Sequence, residues 1–319
     1  MVWGVIAAMA VAVSAQVVPG DSYPPRHIEF AGGVTGYPDL VYQTLPGFRP
    51  LHLDLYRPAD GRGGEPDKTL HPFVVYVHGG GWLSGHTRQS GAFTSWPDVL
   101  ATLAARGYVV ASVEYRLSSE ARFPAAEQDV KAAIRWLRSQ AATWHIDKTR
   151  GLIWGASAGG QLAGLTATSC GIAALEPTGA PAESDCMQGA VTWYGIFDFS
   201  TLGAQDSPES AGAKYLGCRV SKCDPGVVSA ASPVTYIKRD TPPMLLIHGR
   251  ADKTVPMQQS QEMYDRLHAA GVPAQLLLIP DVDHSFIGKT PADTEKASRA
   301  ALDRVFDFID TTIGARGKK

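Results

Sequence analysis

The sequence predicts an α/β protein in which helices cover both faces of a mostly parallel sheet. Residues 73–77 are a continuous apolar run, which is typical of a strand buried on both faces of a sheet, and 108–113 predicts another buried strand. Between such runs lie segments with apolar residues three and four positions apart, such as Val130, Ile134 and Leu137, which give a helix one apolar face. Strands that alternate with helices indicate parallel strands joined by helical crossovers.

The other elements follow in chain order. Residues 51–56 alternate apolar and polar side chains, which is typical of a strand with one solvent-exposed face. Residues 60–68 combine glycines and prolines with charges and predict an exposed loop. A helix over 96–106 is expected to end at Gly107, and a longer helix opens at 123–125. Further strands are predicted at 152–154, 189–196, 244–247 and 275–279, and further helices at 161–167, 257–270 and 291–313.

The composition of the 319-residue chain is that of an ordinary globular protein, with 45% hydrophobic and 19% charged residues. The formal net charge of −2 argues against nucleic acid as a partner, because phosphate binding needs a basic surface. No apolar run beyond the extreme N-terminus is long enough to predict a membrane span. The oligomeric state stays open.

Residues 1–15 are apolar and small, and small side chains at Val13 and Ala15 precede Gln16, which is typical of a secretory signal peptide. The usual early positive charge is missing, because the first Lys or Arg is Arg26. The alternative is an N-terminal helix or strand of the fold. We expect export, to the periplasm or outside the cell, with residues 16–319 forming a single domain.

The four cysteines, Cys170, Cys186, Cys218 and Cys223, indicate disulfides in an exported chain. Four cysteines allow three pairings, of which the sequential one would close two short loops; buried free thiols are the alternative. A metal site is not expected, because no C-x-x-C pair or nearby histidine cluster accompanies them. The stretch 199–240, rich in Ser, Gly, Ala and Pro, predicts either a small cap or a surface loop.

The segment 153–160 carries the most chemical information in the chain. An apolar strand pattern leads into Gly155-Ala156-Ser157-Ala158-Gly159. Glycines on both sides of the serine allow a sharp strand-to-helix turn that would expose Ser157 above the sheet. The serine hydroxyl is a weak nucleophile that needs an adjacent base. The alternative is a serine that belongs to a tight structural turn and has no catalytic role.

His284 and Asp252 are the best partners for that serine. Each follows a predicted strand, and α/β proteins place working residues at the carboxyl ends of strands. A neutral imidazole can accept the serine proton, and a carboxylate can orient the imidazole. Asp281 and Asp283 are rivals to Asp252, but they share the loop of the histidine, and a side chain rarely doubles back onto a near neighbour. His248 is expected to shape its turn.

Three glycines, Gly79 to Gly81, follow the strand at 73–77. Their backbone N–H groups can approach a small anion closely, and together with the N–H of Ala158 they predict an oxyanion hole. Gly79 and Gly80 are the first choices as donors, followed by Gly81. A phosphate-binding loop is the alternative, but no Lys follows the glycines. His78 is expected to hold this loop, and Trp82 either lines the pocket or packs beneath it.

The order Ser…Asp…His is the order of α/β-hydrolases. With these motifs the chain resembles hormone-sensitive-lipase-like carboxylesterases and the bifunctional feruloyl and acetyl-xylan esterases. The segments that carry the resemblance are 78–82, 115–117, 123–125, 129–137, 155–160, 248–256 and 284–286. Ala156 departs from many relatives, which carry an acidic residue or threonine there. A large N-terminal helical cap is not expected, which favours the feruloyl and acetyl esterase side.

The resemblance implies an α/β-hydrolase fold with a small disulfide-bearing insertion. It implies a triad of Ser157, Asp252 and His284 and an oxyanion hole of Gly79, Gly80 and Ala158. It also implies hydrolysis of carboxylic esters through an acyl-enzyme without metal or organic cofactor, on short-chain acyl or plant cell-wall esters. The substrate would be a small-molecule or carbohydrate-linked ester. The alternatives are a prolyl-oligopeptidase-like peptidase or amidase and an inert binding protein of the same fold.

Overall fold

A computed structural model describes residues 26–59, 69–202 and 207–314 of the chain. The predicted signal peptide at 1–15 and the whole of the predicted loop at 60–68 lie outside these ranges, as do residues 203–206 of the stretch 199–240. In the described ranges no helix combines the length and hydropathy that a bilayer crossing requires.

The strands form one mixed sheet in the order β1-β2-β3-β5-β4-β6-β7-β8-β9. The strands are β1 (Ile28–Phe30), β2 (Val34–Gln43), β3 (Leu51–Arg57), β4 (His71–Val77), β5 (Val109–Val113), β6 (Ile146–Ala156), β7 (Gly189–Trp193), β8 (Met244–Gly249) and β9 (Ala274–Ile279). The pairs β1–β2, β2–β3 and β3–β5 are antiparallel, and the other five are parallel. The prediction of a mostly parallel sheet is confirmed.

Helices lie on both faces of this sheet. They are α1 (Trp96–Ala104), α2 (Ala125–Ser139), α3 (Ala141–Trp144), α4 (Ala158–Thr168), α5 (Ala211–Leu216), α6 (Pro225–Ala231), α7 (Gln258–Ala269) and α8 (Pro291–Ile313). On one face α2, α4 and α7 bury Ile134, Leu162 and Met263. On the other face α1 and α8 bury Leu100 and Val305.

The central strand β4 shows why its sequence is apolar throughout. Phe73, Val75 and Val77 pack into the core on one face, and Val74 and Tyr76 pack into the core on the other. Successive side chains of a strand point to opposite faces, so a strand covered by helices on both sides needs an apolar residue at every position.

The antiparallel edge formed by β1 and β2 is not revealed by the sequence pattern. β2 contains Gly36 and Pro38, residue types that are depleted in strands, and its pairing with β3 shifts register between Tyr37 and Leu40. A Cβ on Gly36 would lie 2.6 Å from the ring of Phe30, so glycine lets β1 fold back closely. Pairing with β3 therefore decides this structure, rather than local propensity.

Some predicted bounds are wrong. The strand predicted at 189–196 ends at Trp193, because Tyr194 takes a φ of +39° and turns the chain at the sheet edge. The strand predicted at 152–154 extends over the whole of β6. In contrast, α8 has the predicted ends, with Pro291 at its start and the hydroxyl of Thr290 accepting from the N–H of Asp293 in a capping box.

The four cysteines form the two sequential pairs. Cys170–Cys186 joins the end of α4 to the segment before β7, and Cys218–Cys223 closes a short loop after α5. The described part of the stretch 199–240 contains α5 and α6, which contribute buried side chains to the core on the α4 face. The described part of this stretch is therefore largely helical and packed against the core rather than a plain surface loop.

Candidate active site

Ser157 lies in a tight turn between β6 and α4, with φ +56° and ψ −119°, a conformation that side-chain-bearing residues rarely adopt. The flanking glycines make the turn possible. A Cβ on Gly155 would lie 2.0 Å from the carbonyl oxygen of Gly159, and one on Gly159 would lie 2.1 Å from the carbonyl oxygen of Val77. This close packing explains why glycine is required on both sides of the serine.

The side chains of Ser157, His284 and Asp252 meet in one line of hydrogen bonds. His284 Nε2 lies 3.0 Å from Ser157 Oγ, and His284 Nδ1 lies 2.8 Å from Asp252 Oδ2. An imidazole that donates its Nδ1–H to the carboxylate keeps the lone pair of Nε2 for the serine proton. The structure therefore brings together the three residues that the sequence predicts, from turns after β6, β8 and β9.

Asp252 is held as a buried anion. Its Oδ1 accepts from the backbone N–H groups of Thr254 and Val255, both at 2.8 Å. Burial alone would raise the pKa of this carboxyl. Hydrogen bonds from His248, His284 and the backbone of Val255 lower it by more than burial raises it, so the pKa lies well below its usual range. The group is therefore ionised at neutral pH and able to orient His284.

His248 does more than shape its turn. Its fully buried ring lies with Nδ1 2.7 Å from Ser260 Oγ and Nε2 2.9 Å from the carbonyl oxygen of Val255. The same Nε2 lies 3.3 Å from Asp252 Oδ2. The tautomer with hydrogen on Nε2 satisfies all of these neighbours, because the Ser260 hydroxyl then donates to Nδ1. The sequence signal that could have revealed this role is the four-residue spacing from His248 to Asp252.

The rival carboxylates have other positions. Asp283 Oδ1 accepts from the backbone N–H groups of His284 at 2.7 Å and Lys253 at 2.8 Å, so it fixes the turn that carries the histidine. Asp281 lies at a turn with φ +58°. The carboxylate that reaches the ring of His284 is that of Asp252.

A cavity of about 480 Å³ opens above Ser157, and Gly79, Gly80 and Gly81 line it. Gly80 has φ +107°, and a Cβ there would lie 2.1 Å from the carbonyl oxygen of Ser84. Among the residues that the structure describes, no backbone acceptor pairs with the N–H groups of Gly79, Gly80 or Ala158. These donors are therefore available to an anion bound beside Ser157 Oγ.

His78 supports this glycine turn, as the sequence predicts. Its ring stacks on Tyr115 with centroids 4.4 Å apart, and its Nδ1 lies 2.7 Å from the carbonyl oxygen of Gly79. Burial lowers the pKa of His78 to about 4, so the ring is neutral at physiological pH. Trp82 packs beneath the turn: it is buried, stacks on Tyr215 and donates its Nε1–H to Gln161.

The opposite wall of the cavity is a loop that the sequence does not single out. Ser90 and Gly91 line the cavity, and the neighbouring residues Thr87 and Arg88 anchor their loop to Asp54 on β3. Asp54 is buried and accepts from Thr87 Oγ1 at 2.7 Å and from Arg88 Nε and Nη2 at 2.7 and 2.9 Å. A buried carboxylate with a bidentate arginine is a strong, directional anchor.

Four aromatic residues stand at or after the carboxyl ends of β4, β7 and β9: Trp82, Trp193, Tyr194 and Phe286. Only Tyr194 among these four lines the cavity, with its ring centroid 4.6 Å from that of His284. Trp193 and Phe286 are core residues that pack edge-to-face on each other. In the described ranges no three His, Cys, Asp or Glu side chains form a group that could hold a metal ion.

The model of the BD-FAE family matches residues 53–267, about two thirds of the chain. The chain belongs to this family. Among curated proteins, it is 30% identical to the esterase LipQ and 32% identical to the esterase LipC, both of Mycobacterium tuberculosis, over 92% and 76% of its length. It spans only 66% and 59% of the length of these two relatives.

Solved structures confirm that this BD-FAE member has the α/β-hydrolase fold of esterases. A carbohydrate esterase from gut microbiota superposes with a TM-score of 0.73 at 24% identity, over 88% of this chain and 96% of the other. Esterase 2 of Thermogutta terrifontis, in a propionate-bound form, superposes with a TM-score of 0.68 at 26% identity, over the same shares. A bifunctional GH43-CE protein of Bacteroides eggerthii gives 0.72 at 27% identity, over 88% and 38%.

Proposed function

We propose that this chain is a serine carboxylic-ester hydrolase with Ser157 as nucleophile, His284 as general base and acid, and Asp252 as the group that orients His284. One observation carries the proposal. Two hydrogen bonds, of 3.0 and 2.8 Å, join the serine hydroxyl through the imidazole to a buried carboxylate on the floor of an open cavity. This arrangement activates a serine for acyl transfer.

In the proposed mechanism His284 Nε2 takes the proton of Ser157 as Oγ attacks the ester carbonyl carbon. The C–O bond to the alcohol then breaks, and His284 returns the proton to the departing oxygen. The acyl group stays on Ser157 as an ester. Water attacks this acyl-enzyme with His284 again as base, which releases the carboxylic acid and restores the serine. No step needs a metal or an organic cofactor.

The oxyanion of each tetrahedral intermediate would accept hydrogen bonds from the N–H groups of Gly79, Gly80 and Ala158. Gly81, on the same wall, is the alternative donor. Each donor of this kind is typically worth about 2.7–4 kcal/mol of the barrier. Because these donors belong to the backbone of two tight turns, they are already oriented before substrate binds.

The substrate class follows from the lining of the cavity. Most of its wall consists of glycine, serine and other small or polar residues, with Tyr194 as the main large side chain. Such a wall favours a short acyl group and a polar alcohol, such as an acetylated or feruloylated carbohydrate. The relatives named carbohydrate esterase and GH43-CE support this class. Two disulfides support export, because disulfides persist in oxidising compartments.

The test replaces the nucleophile. Ser157→Ala should reduce kcat for p-nitrophenyl acetate by at least about 10³-fold, because removal of a triad member leaves only binding and oxyanion stabilisation. Ser139→Ala, an exposed serine at the end of α2, is the matched control and should keep full activity. Near-normal turnover by Ser157→Ala, with its fold intact by circular dichroism, would refute the assignment.

A second candidate function is cleavage of an acyl-amide bond. The chain is 30% identical over 258 residues to the human acylamino-acid-releasing enzyme, although it spans only 32% of that protein. The two functions separate when p-nitrophenyl acetate and p-nitroacetanilide, which share an acyl group, are compared. We expect turnover of the ester and little of the amide; a preference for the anilide would favour the second candidate.

A further inference from the structure

A second cavity, of about 560 Å³, opens beside the candidate active site. Among its lining residues are Leu83, Ser118 and three cationic side chains, Arg122, Lys214 and Arg219. None of the described residues that line this cavity is an Asp or a Glu. We call this the basic cavity. A concave surface with charges of one sign concentrates the potential that attracts an anion.

Only one turn of backbone separates the basic cavity from Ser157. The N–H groups of Leu83 and Ser84 donate to the carbonyl oxygen of Gly80, which closes the turn. Gly80 and Ser84 line the active-site cavity, whereas Leu83 lines the basic cavity. The ends of such a turn lie less than about 7 Å apart. One extended substrate could therefore occupy both cavities.

The positive charge of the basic cavity is only partly balanced. Arg122 and Lys214 are both exposed, and neither forms an ion pair with a carboxylate of the described residues. Glu209 is a described acid near this cavity, and its pKa is lowered by a hydrogen bond from Ser207 and, less strongly, by the nearby charges of Lys214 and Arg219. Among the described residues, Arg122 and Lys214 thus outnumber this one carboxylate, which leaves the described lining of the cavity positive.

The walls of the basic cavity are fixed by packing. Arg122 lies across Gly217, where a Cβ would be 2.4 Å from Arg122 Cδ, so glycine makes room for the arginine stem. The N–H of Phe123 donates to the carbonyl oxygen of Tyr215 at 2.8 Å, which joins the arginine segment to α5. The disulfide Cys218–Cys223 closes the loop that carries Arg219. The cations are therefore carried by ordered backbone.

We propose that the basic cavity binds a carboxylate on the alcohol part of the substrate, as in a uronic acid branch of an acetylated polysaccharide. Arg122 offers a planar fork of donors that matches a carboxylate, and Lys214 adds a second charge. The hydroxyl of Ser118 and the half-exposed side chain of Leu83 suit the polar edge and apolar face of a sugar ring. The proposal rests on the esterase function proposed for Ser157.

The test compares acetylated xylotetraose with the same oligosaccharide carrying a glucuronic acid branch. The unmodified enzyme should show a higher kcat/KM for the acidic ester, and added salt should reduce the preference, because ions screen exposed charges. Arg122→Gln and Lys214→Gln should each lower the preference by up to about fivefold, the range for exposed ion pairs. The double variant should lose it, while p-nitrophenyl acetate turnover is unchanged.

Lys148→Gln is the matched control, because Lys148 lies on β6 at the end of the strand opposite Ser157. Free glucuronate should inhibit the unmodified enzyme more strongly than acetate does, which separates a sugar carboxylate from the acyl product. Equal kcat/KM values for the two oligosaccharides, or a preference that survives in the double variant, would overturn the proposal.

Calorimetric binding of the two deacetylated oligosaccharides keeps the test independent of catalysis. The acidic one should bind more tightly, and Arg122→Gln/Lys214→Gln should abolish the difference. If p-nitrophenyl acetate is not hydrolysed, the esterase proposal fails, whereas equal binding of the two oligosaccharides refutes the carboxylate site alone.

Discussion

Two buried carboxyl groups in this molecule have opposite environments. Asp252, at the sheet edge, accepts hydrogen bonds from two backbone N–H groups and from His284, and its pKa lies well below the usual range. Glu127, between α2 and α4, accepts one hydrogen bond, from Thr166 Oγ1 at 2.9 Å, and its other oxygen has no partner among the described residues. Burial raises the pKa of Glu127 to about 8, although the charge of Lys131 and the bond from Thr166 oppose this rise.

The comparison teaches that donors, rather than burial, decide which buried carboxyl stays ionised. Asp252 follows a strand end, where the turning backbone leaves N–H groups free to stabilise its charge. Glu127 lies in the first turn of α2, and among the described residues the one donor that reaches its carboxyl is Thr166 Oγ1 on α4. The ammonium of Lys131 is directed to Asp185, 2.7 Å away, and to the carbonyl oxygen of Ser169. The same residue chemistry thus gives an anion at the candidate site and a neutral acid in the helix layer.

The largest expected effect comes from removing the charge of Asp252. Asp252→Asn should lower kcat for p-nitrophenyl acetate by about 10³–10⁴-fold, because an amide does not stabilise the imidazolium and favours the wrong tautomer. Asp283→Asn is the matched control on the histidine loop and should cost less than about tenfold, because Asp283 accepts from two backbone N–H groups and pairs with the exposed Lys253 rather than with the ring of His284. Equal losses in the two variants would break the contrast between Asp252 and its neighbour.

The next largest effect concerns Glu127, and it is a gain in stability rather than a loss of activity. A carboxyl with a raised pKa is protonated in the folded chain and ionised in the unfolded chain between about pH 4.5 and 8, so the free energy of unfolding falls as pH rises through this window. Glu127→Gln removes the ionisation and should raise that free energy by roughly 3 kcal/mol at pH 7 and by little at pH 4.

Urea unfolding of the parent and of Glu127→Gln at pH 4, 5.5, 7 and 8 measures this change. Glu295→Gln, an exposed glutamate on α8, is the control and should leave the pH profile unaltered. Parallel stability profiles for the parent and Glu127→Gln would show that Glu127 is ionised when folded.

The smallest expected effect tests whether the hydrogen bond from Thr166 stabilises the ionised form of Glu127. Thr166→Val removes the hydrogen bond to Glu127 and should lower the free energy of unfolding by about 1 kcal/mol, more at pH 8 than at pH 5, because the bond stabilises the ionised carboxyl. Thr168→Val on the same helix is the control, since Thr168 Oγ1 donates only to carbonyls of its own helix. A loss at Thr166 that does not change with pH would mean that the bond is indifferent to the charge of Glu127.

Much of the fold could be predicted because two signals are local. β4 contains the continuous apolar run 73–77, β5 is apolar except at Ser112, and α8 carries its own start signal in Thr290 and Pro291. β2 could not be predicted, because Gly36 and Pro38 contradict strand propensity and pairing with β3 organises the strand. Tyr194 ends β7 earlier than the apolar pattern indicates, because the turn at the sheet edge forces a positive φ.

The candidate site also combines residues that the sequence predicts with supporting contacts that it does not predict. Ser157, Asp252 and His284 could be predicted because each follows a strand and each type fits one step of acyl transfer. The contacts that support them could not. Asp54 is far from Ser157 in sequence, yet it anchors the loop that forms a wall of the cavity. The pairing of the cysteines was open on counting alone and depends on where the chain brings them together.

The most direct test of the proposed catalytic unit is mass-spectrometric mapping of a fluorophosphonate adduct. We expect one adduct, on Ser157, formed at least about 100-fold more slowly in His284→Ala, which lacks the base that activates the hydroxyl. An unmodified Ser157, or labelling at the same rate in His284→Ala, would contradict the account.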